Sequence, residues 1–145
     1  MIVLASQRQS GHYALVADSV ANALRDAVGG DVHAIEQIEN VAHAPMAEVA
    51  EPLAPLVLTR VALSRVLSDL RDGVISTEQA QRWASFVRRG YVQGANASPV
   101  QPIDINYEDE ETIVDPLSRL DELGDVIDGT MPVDELNSWI ARLST

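Results

Sequence analysis

The stretch with most chemistry to offer is Ile103 to Glu111, Ile-Asp-Ile-Asn-Tyr-Glu-Asp-Glu-Glu. Ile103, Ile105 and Tyr107 alternate with Asp104, Asn106 and Glu108, a period of two that suits a short edge strand or an extended arm. Glu108, Asp109, Glu110 and Glu111 then lead into a helix carrying Ile113, Leu117, Leu120 and Leu123. Acids at a helix start are favoured by the helix dipole, and that alone would account for them. Apolar and aromatic residues interleaved with carboxylates are equally what a basic protein surface would need. On this second reading the interface runs from Asp104 to Asp115. Ile103, Ile105 and Tyr107 are its apolar anchors, and Glu108, Asp109, Glu110 and Glu111 steer the partner.

Other reactive residue types form no constellation. His12, His33 and His43 lie on separate stretches without metal-ligand spacing, and the chain has no cysteine for a disulfide, a thiolate metal site or a nucleophile. Neither a Gly-x-Ser-x-Gly elbow nor a phosphate-binding glycine loop is present. Carboxylate pairs are plentiful, but none is singled out as buried. The residues propose no reaction, so a non-enzyme without metal or cofactor is expected.

The loop Ser6-Gln-Arg-Gln-Ser-Gly11 follows the apolar run Met1-Ile-Val-Leu-Ala5 and precedes a helical pattern. It resembles the first loop of flavodoxin-like flavin reductases, a Ser-x-Arg-x-x-Ser pattern that receives the cofactor phosphate. Ser6, Arg8 and, one step early, Ser10 are the matching positions. The resemblance covers about 35 residues and implies flavin or nucleotide binding. A flavodoxin sheet needs further strand–helix pairs, however, and the rest of this chain offers helices.

The 145 residues carry a net charge of −12, and all ten basic residues are arginine. The charge is uneven: residues 101–145 hold twelve acids and two arginines, net −10, leaving −2 for residues 1–100. Such a surface repels nucleic acid and anionic membranes and attracts basic protein; it would also serve simply to keep the chain soluble. No hydrophobic run approaches membrane-spanning length and no signal-peptide pattern is present, so a soluble cytoplasmic protein is expected.

These residues must be positioned by the elements around them, and a repeat organises those elements. Leu67 to Trp83 recurs 56 positions later as Leu123 to Trp139. In that register Asp69 meets Asp125, Asp72-Gly73 meets Asp128-Gly129, Ile75 meets Met131, and the only two tryptophans coincide. Each copy reads as helix, Asp-Gly turn, helix. Glycine allows the left-handed helix ending, Ser76 with Gln79 has the form of a capping box, and Pro132 suits a first turn. Two such units could bury their tryptophan faces against each other. The turns are not calcium loops: with Gly73 and Gly129 at loop position six, Leu70, Gly124 and Val126 fall where side-chain oxygens are needed.

In chain order, Met1–Ala5 reads as a strand, Tyr13 to Val28 as a helix closed by Gly29-Gly30, and Asp31–Ile38 as a second strand, with a helix from Glu36 to Val41 as the alternative. Residues 1–44 thus form a βαβ-like element. Residues 45–55, with Pro45, Pro52 and Pro55, are a broken connection lying on the core. Residues 56–145 form a helical domain: a central helix from Leu56 to Leu70, a tryptophan helix from Ser76 to Arg89, a loop over 90–102, the acidic segment and a closing helix. The expected class is mainly α with a small N-terminal α/β element.

Residues 58–143 resemble the small helical immunity proteins of bacterial polymorphic-toxin, colicin-like and contact-dependent inhibition systems. These carry Leu-x-x-Gly-x-Ile-Ser-x-Glu-Glu-x-x-x-Trp-Ala, to which Leu70, Gly73, Ile75-Ser76, Glu78-Gln79 and Trp83-Ala84 correspond in turn, with Gln79 in place of the second Glu. A Leu-x-x-Leu helix (Leu117, Leu120, Leu123) and a closing tryptophan helix (Trp139, Ile140, Leu143) agree as well. The resemblance implies an inhibitor that binds a cognate toxin domain and masks its active site or groove. Toxin nucleases are basic because they hold phosphate, so an acidic inhibitor competes for the same surface. An acidic adaptor, including a phage-encoded inhibitor of host defence, is the remaining alternative.

Overall fold

The computed structural model describes residues 18–39, 41, 43–92, 101–124 and 131–145. Met1–Ala5, the Ser6–Gly11 loop and the Asp128-Gly129 turn lie outside the described residues. The fold is mainly α, as expected, with one small parallel sheet.

Helix α1 (18–28) turns Val20, Ala23, Leu24, Ala27 and Val28 to the core, the i, i+3, i+4, i+7 stripe of an amphipathic helix. Asp31–Ile38 is not a strand. Asp31 accepts the His33 N–H at 3.1 Å and starts a 3-10 turn, Val32–Ala34, which runs into helix α2 (Ile35–Ile38). Val32, Ile35 and Ile38 are buried at a spacing of three, which helical turns satisfy and a strand would split between two faces. The sheet therefore lies elsewhere. The proline-rich connection is helix α3 (His43–Ala50), a 3-10 turn and Pro55; Met46 and Ala50 sit in the core.

Leu56–Leu58 is strand β1 rather than the start of a helix, with Leu56 and Leu58 buried and Val57 outward. Thr59 accepts the Ala62 N–H at 3.0 Å and caps helix α4 (Arg60–Arg71). Five residues later α5 (Thr77–Arg89) begins, with the reciprocal Ser76–Gln79 capping box in place. Strand β2 (Ile105–Tyr107) pairs in parallel with β1, Leu56 opposite Ile105. Asp109 then caps α6 (Glu110–Asp121), and after eleven residues α7 (Val133–Leu143) closes the chain.

The chain thus contains two strand–helix–turn–helix units, and their register corrects the uniform spacing of 56. Caps Thr59 and Asp109 place the first helices 50 apart, so Leu63, Val66, Leu67 and Leu70 correspond to Ile113, Pro116, Leu117 and Leu120. The second helices keep the spacing of 56. Six extra residues between α6 and α7 absorb the difference, and Leu123 lies in a 3-10 turn after α6. Packing is crosswise: α4 lies chiefly on α7, and α5 chiefly on α6. The two tryptophans therefore do not face each other. Trp83 is fully buried and donates its indole N–H to Ala27 O on α1 at 2.6 Å. Trp139 is half-buried, donates to Glu135 Oε2 at 3.1 Å and carries Arg142 4.9 Å above its ring.

Candidate interaction surface

The acidic segment is β2 and the first turns of α6, held from both sides. At the start of β2, Ile103 is buried, and its N–H donates to Gly90 O at 2.9 Å. Gly90 ends α5 at φ +81°, and a Cβ there would collide with the Ile103 carbonyl, so glycine permits this approach. Ile103 thus belongs to the core rather than to an exposed anchor patch. Ile105 and Tyr107 are half-buried against the core, while Asp104 and Asn106 are exposed.

The carboxylates divide into two groups. Glu108 accepts the Arg60 N–H at 3.0 Å and lies 4.0 Å from its guanidinium, so it ties β2 to the start of α4. Asp109 accepts the Glu111 N–H at 3.2 Å as the α6 cap. Those two are occupied by the fold. Asp104, Glu110, Glu111 and Asp115 are exposed, and among the described residues none has a cation within 4.0 Å. Val114 stands among the last three, 41% exposed, one helical turn from Glu110 and Glu111. It falls outside the apolar stripe of α6, and that offset is the sequence signal that could have found it.

Tyr107 borders this patch. Burial pushes its phenol up from the ordinary value, Arg88 pulls it down and Glu110 pushes it up again; the net shift is upward. The ring is therefore neutral at physiological pH and presents an O–H. Arg88 in turn belongs to a network that sequence reasoning missed. Asp121, 4% exposed, receives Arg88 at 2.5 Å, Arg89 at 3.5 Å and Gln81 at 3.2 Å. This buried carboxylate fastens α5 to the end of α6 and so fixes how α6 presents its outer face. No pattern in the sequence separates Asp121 from its many acidic neighbours.

Among the described residues no three His, Asp or Glu side chains are grouped as a metal ion would require. No described helix is long and apolar enough to cross a membrane. A shallow groove of about 700 Å³ between α1 and α3, lined by Asp18, Arg25, Glu48 and Leu53, shares no residue with the acidic segment. A smaller one of about 270 Å³, lined by Ala47, Ala50, Pro102, Ile103 and Asp104, adjoins the start of β2. No protein-family model, curated protein or solved structure matches the chain.

Proposed function

We propose that this protein inhibits a basic protein partner, in the manner of an immunity protein against a toxin domain, by binding it through the outer face of β2 and α6. The observation that carries this reading is the set of four exposed carboxylates, Asp104, Glu110, Glu111 and Asp115, that no cation neutralises among the described residues, the last three standing around Val114 with Tyr107 at their border. Unpaired charge of one sign accelerates association with an oppositely charged surface, and a partly desolvated aromatic beside it slows dissociation. The pattern from Leu70 to Ala84 and the charge of −10 over residues 101–145 support the same reading.

The test is co-expression with the product of the neighbouring gene, scored as rescue from toxicity and as a co-purifying complex. Reversing Asp104, Glu110, Glu111 and Asp115 to arginine leaves the Glu108 and Asp109 contacts in place. It should slow association by about tenfold or more at low salt. The effect should shrink as ionic strength rises towards 0.1 M, where the screening length is about 10 Å. Tyr107→Ala should instead raise the dissociation rate. A toxic neighbour that binds elsewhere, or no basic partner at all, defeats the proposal.

A further inference from the structure

The two sheet edges differ. The Glu108 N–H donates to Leu58 O at 2.9 Å, and in a parallel ladder alternate residues turn their main-chain groups to the same side. Asp104, Asn106 and Glu108 therefore face β1, and Ile105 and Tyr107 turn their N–H and C=O groups away from it. The Ile103 N–H, on that same outer side, already bonds the main chain at Gly90. Among the described residues nothing bonds the main-chain groups of Ile105 or Tyr107 on the outer side. On β1 the corresponding outward residues are Val57 and Pro55, and proline has no N–H to offer. One edge is guarded and the other is open.

We infer that the open edge of β2 receives an extended basic segment of the partner as an added strand, pairing with Ile105 and Tyr107. Charge decides the occupant: the edge is bracketed by exposed Asp104 and by Glu110 and Glu111, none of which is neutralised internally. An added strand places alternate side chains on one face, so lysines or arginines at every second position would meet these carboxylates. The inference rests on the acidic-surface reading and adds the manner of binding.

The probe is an octapeptide of alternating lysine and valine, compared with its glutamate–valine counterpart, on the full-length protein. Amide hydrogen exchange should show Ile105 and Tyr107 unprotected in the free protein and slowed about tenfold or more by the lysine peptide alone. Ile105→Pro removes one outward N–H and spares the ladder to β1, whereas Ile105→Ala removes the side chain and keeps that N–H. The proline variant should bind at least about tenfold more weakly than the alanine variant, the scale of one or two lost hydrogen bonds, with a melting temperature close to it. Protection already present in the free protein would mean that another strand, from this chain or a second copy, holds the edge, and would overturn the inference. Binding of the lysine peptide without protection, or equal losses in the two variants, would overturn it and leave the acidic-surface reading standing. No binding of either peptide would also overturn it, while rescue by co-expression judges the broader reading independently.

Discussion

Trp83 and Trp139 hold matching positions in the two strand–helix–turn–helix units, and the fold treats them differently. Around Trp83 five consecutive residues, from Trp83 to Val87, are buried, which a helix achieves only when covered on nearly all sides. Helix α5 has α6 on one side and the 3-10 turn of residues 32–34 on another, with α1 reaching the indole. Helix α7 buries only Leu136 and Leu143, and its tryptophan leans on Glu135 and Arg142. The N-terminal helical segment thus adds a further layer over α5, whereas α7 packs chiefly on α4. One order of elements occurs twice, but its second helix is buried nearly all round in the first unit and on one face only in the second. The second unit is also the one in which exposed Glu110, Glu111 and Asp115 stand around Val114.

Tryptophan truncation breaks the comparison most directly. Trp83→Ala should cost about 3–5 kcal/mol, the range for deleting a large fully buried aromatic, with a further loss from the unpaired Ala27 carbonyl. Trp139→Ala should cost about 1–2 kcal/mol, because much of its ring is already in water or under Arg142. Urea unfolding of the two variants measures both, and equal losses would erase the distinction between the units.

The two glycines of the first unit sharpen the same point at smaller scale. Gly73 and Gly90 both have positive φ, +74° and +81°. A Cβ at Gly73 would meet open space, so Gly73→Ala carries only the left-handed backbone cost of about 1–2 kcal/mol. At Gly90 the same cost is joined by collision with the Ile103 main chain, so Gly90→Ala should lose more than about 2 kcal/mol. It should also loosen the entry to β2, visible as faster exchange of the Ile103 amide. A Gly90→Ala variant as stable as Gly73→Ala would mean that the approach of α5 to β2 is not a fixed contact.

These contrasts separate what was legible in the sequence from what was not. Local signals held: the Ser76–Gln79 box, the apolar stripe of α1, the alternation over Ile103–Tyr107 and the acidic start of α6 all depend on residues within a turn or two. Leu56-Val57-Leu58 continued the apolar pattern of α4 so well that only Pro55 and Thr59 marked it as a strand. Val32 and Ala34 imitated an alternating strand although Val32, Ile35 and Ile38 keep a helical step. The spacing of 56 held for the second helices but not for the first, because matching Asp-Gly pairs in the sequence hid six extra residues. Burial of Ile103 and Asp121 came from α5, far away in sequence, and no local pattern announces such contacts.

The smallest contrast lies at one pair of equivalent positions. Gln79 is the neutral half of the α5 capping box; its counterpart, 56 residues on, is Glu135, a charged residue held by Arg119 at 2.8 Å and by the Trp139 indole at 3.1 Å. Burial pushes the Glu135 carboxyl up, but these hydrogen bonds and the guanidinium charge outweigh it and hold it below the ordinary value. A depressed folded-state value adds stability above the unfolded-state pKa, near 4.3 for glutamate, and that stability is lost as pH falls through the folded value. Glu135→Gln should therefore lower stability at pH 7 by about 1 kcal/mol or less, the scale of a partly exposed pair. Its deficit against the parent should close on acidification below about pH 4, where the parent's carboxylate also protonates. Gln79→Ala, which removes a neutral cap, should show a deficit that does not change between pH 7 and pH 4. Melting curves of the three proteins across that range decide it: a Glu135→Gln deficit that persists in acid would assign the loss to packing around Trp139 rather than to charge.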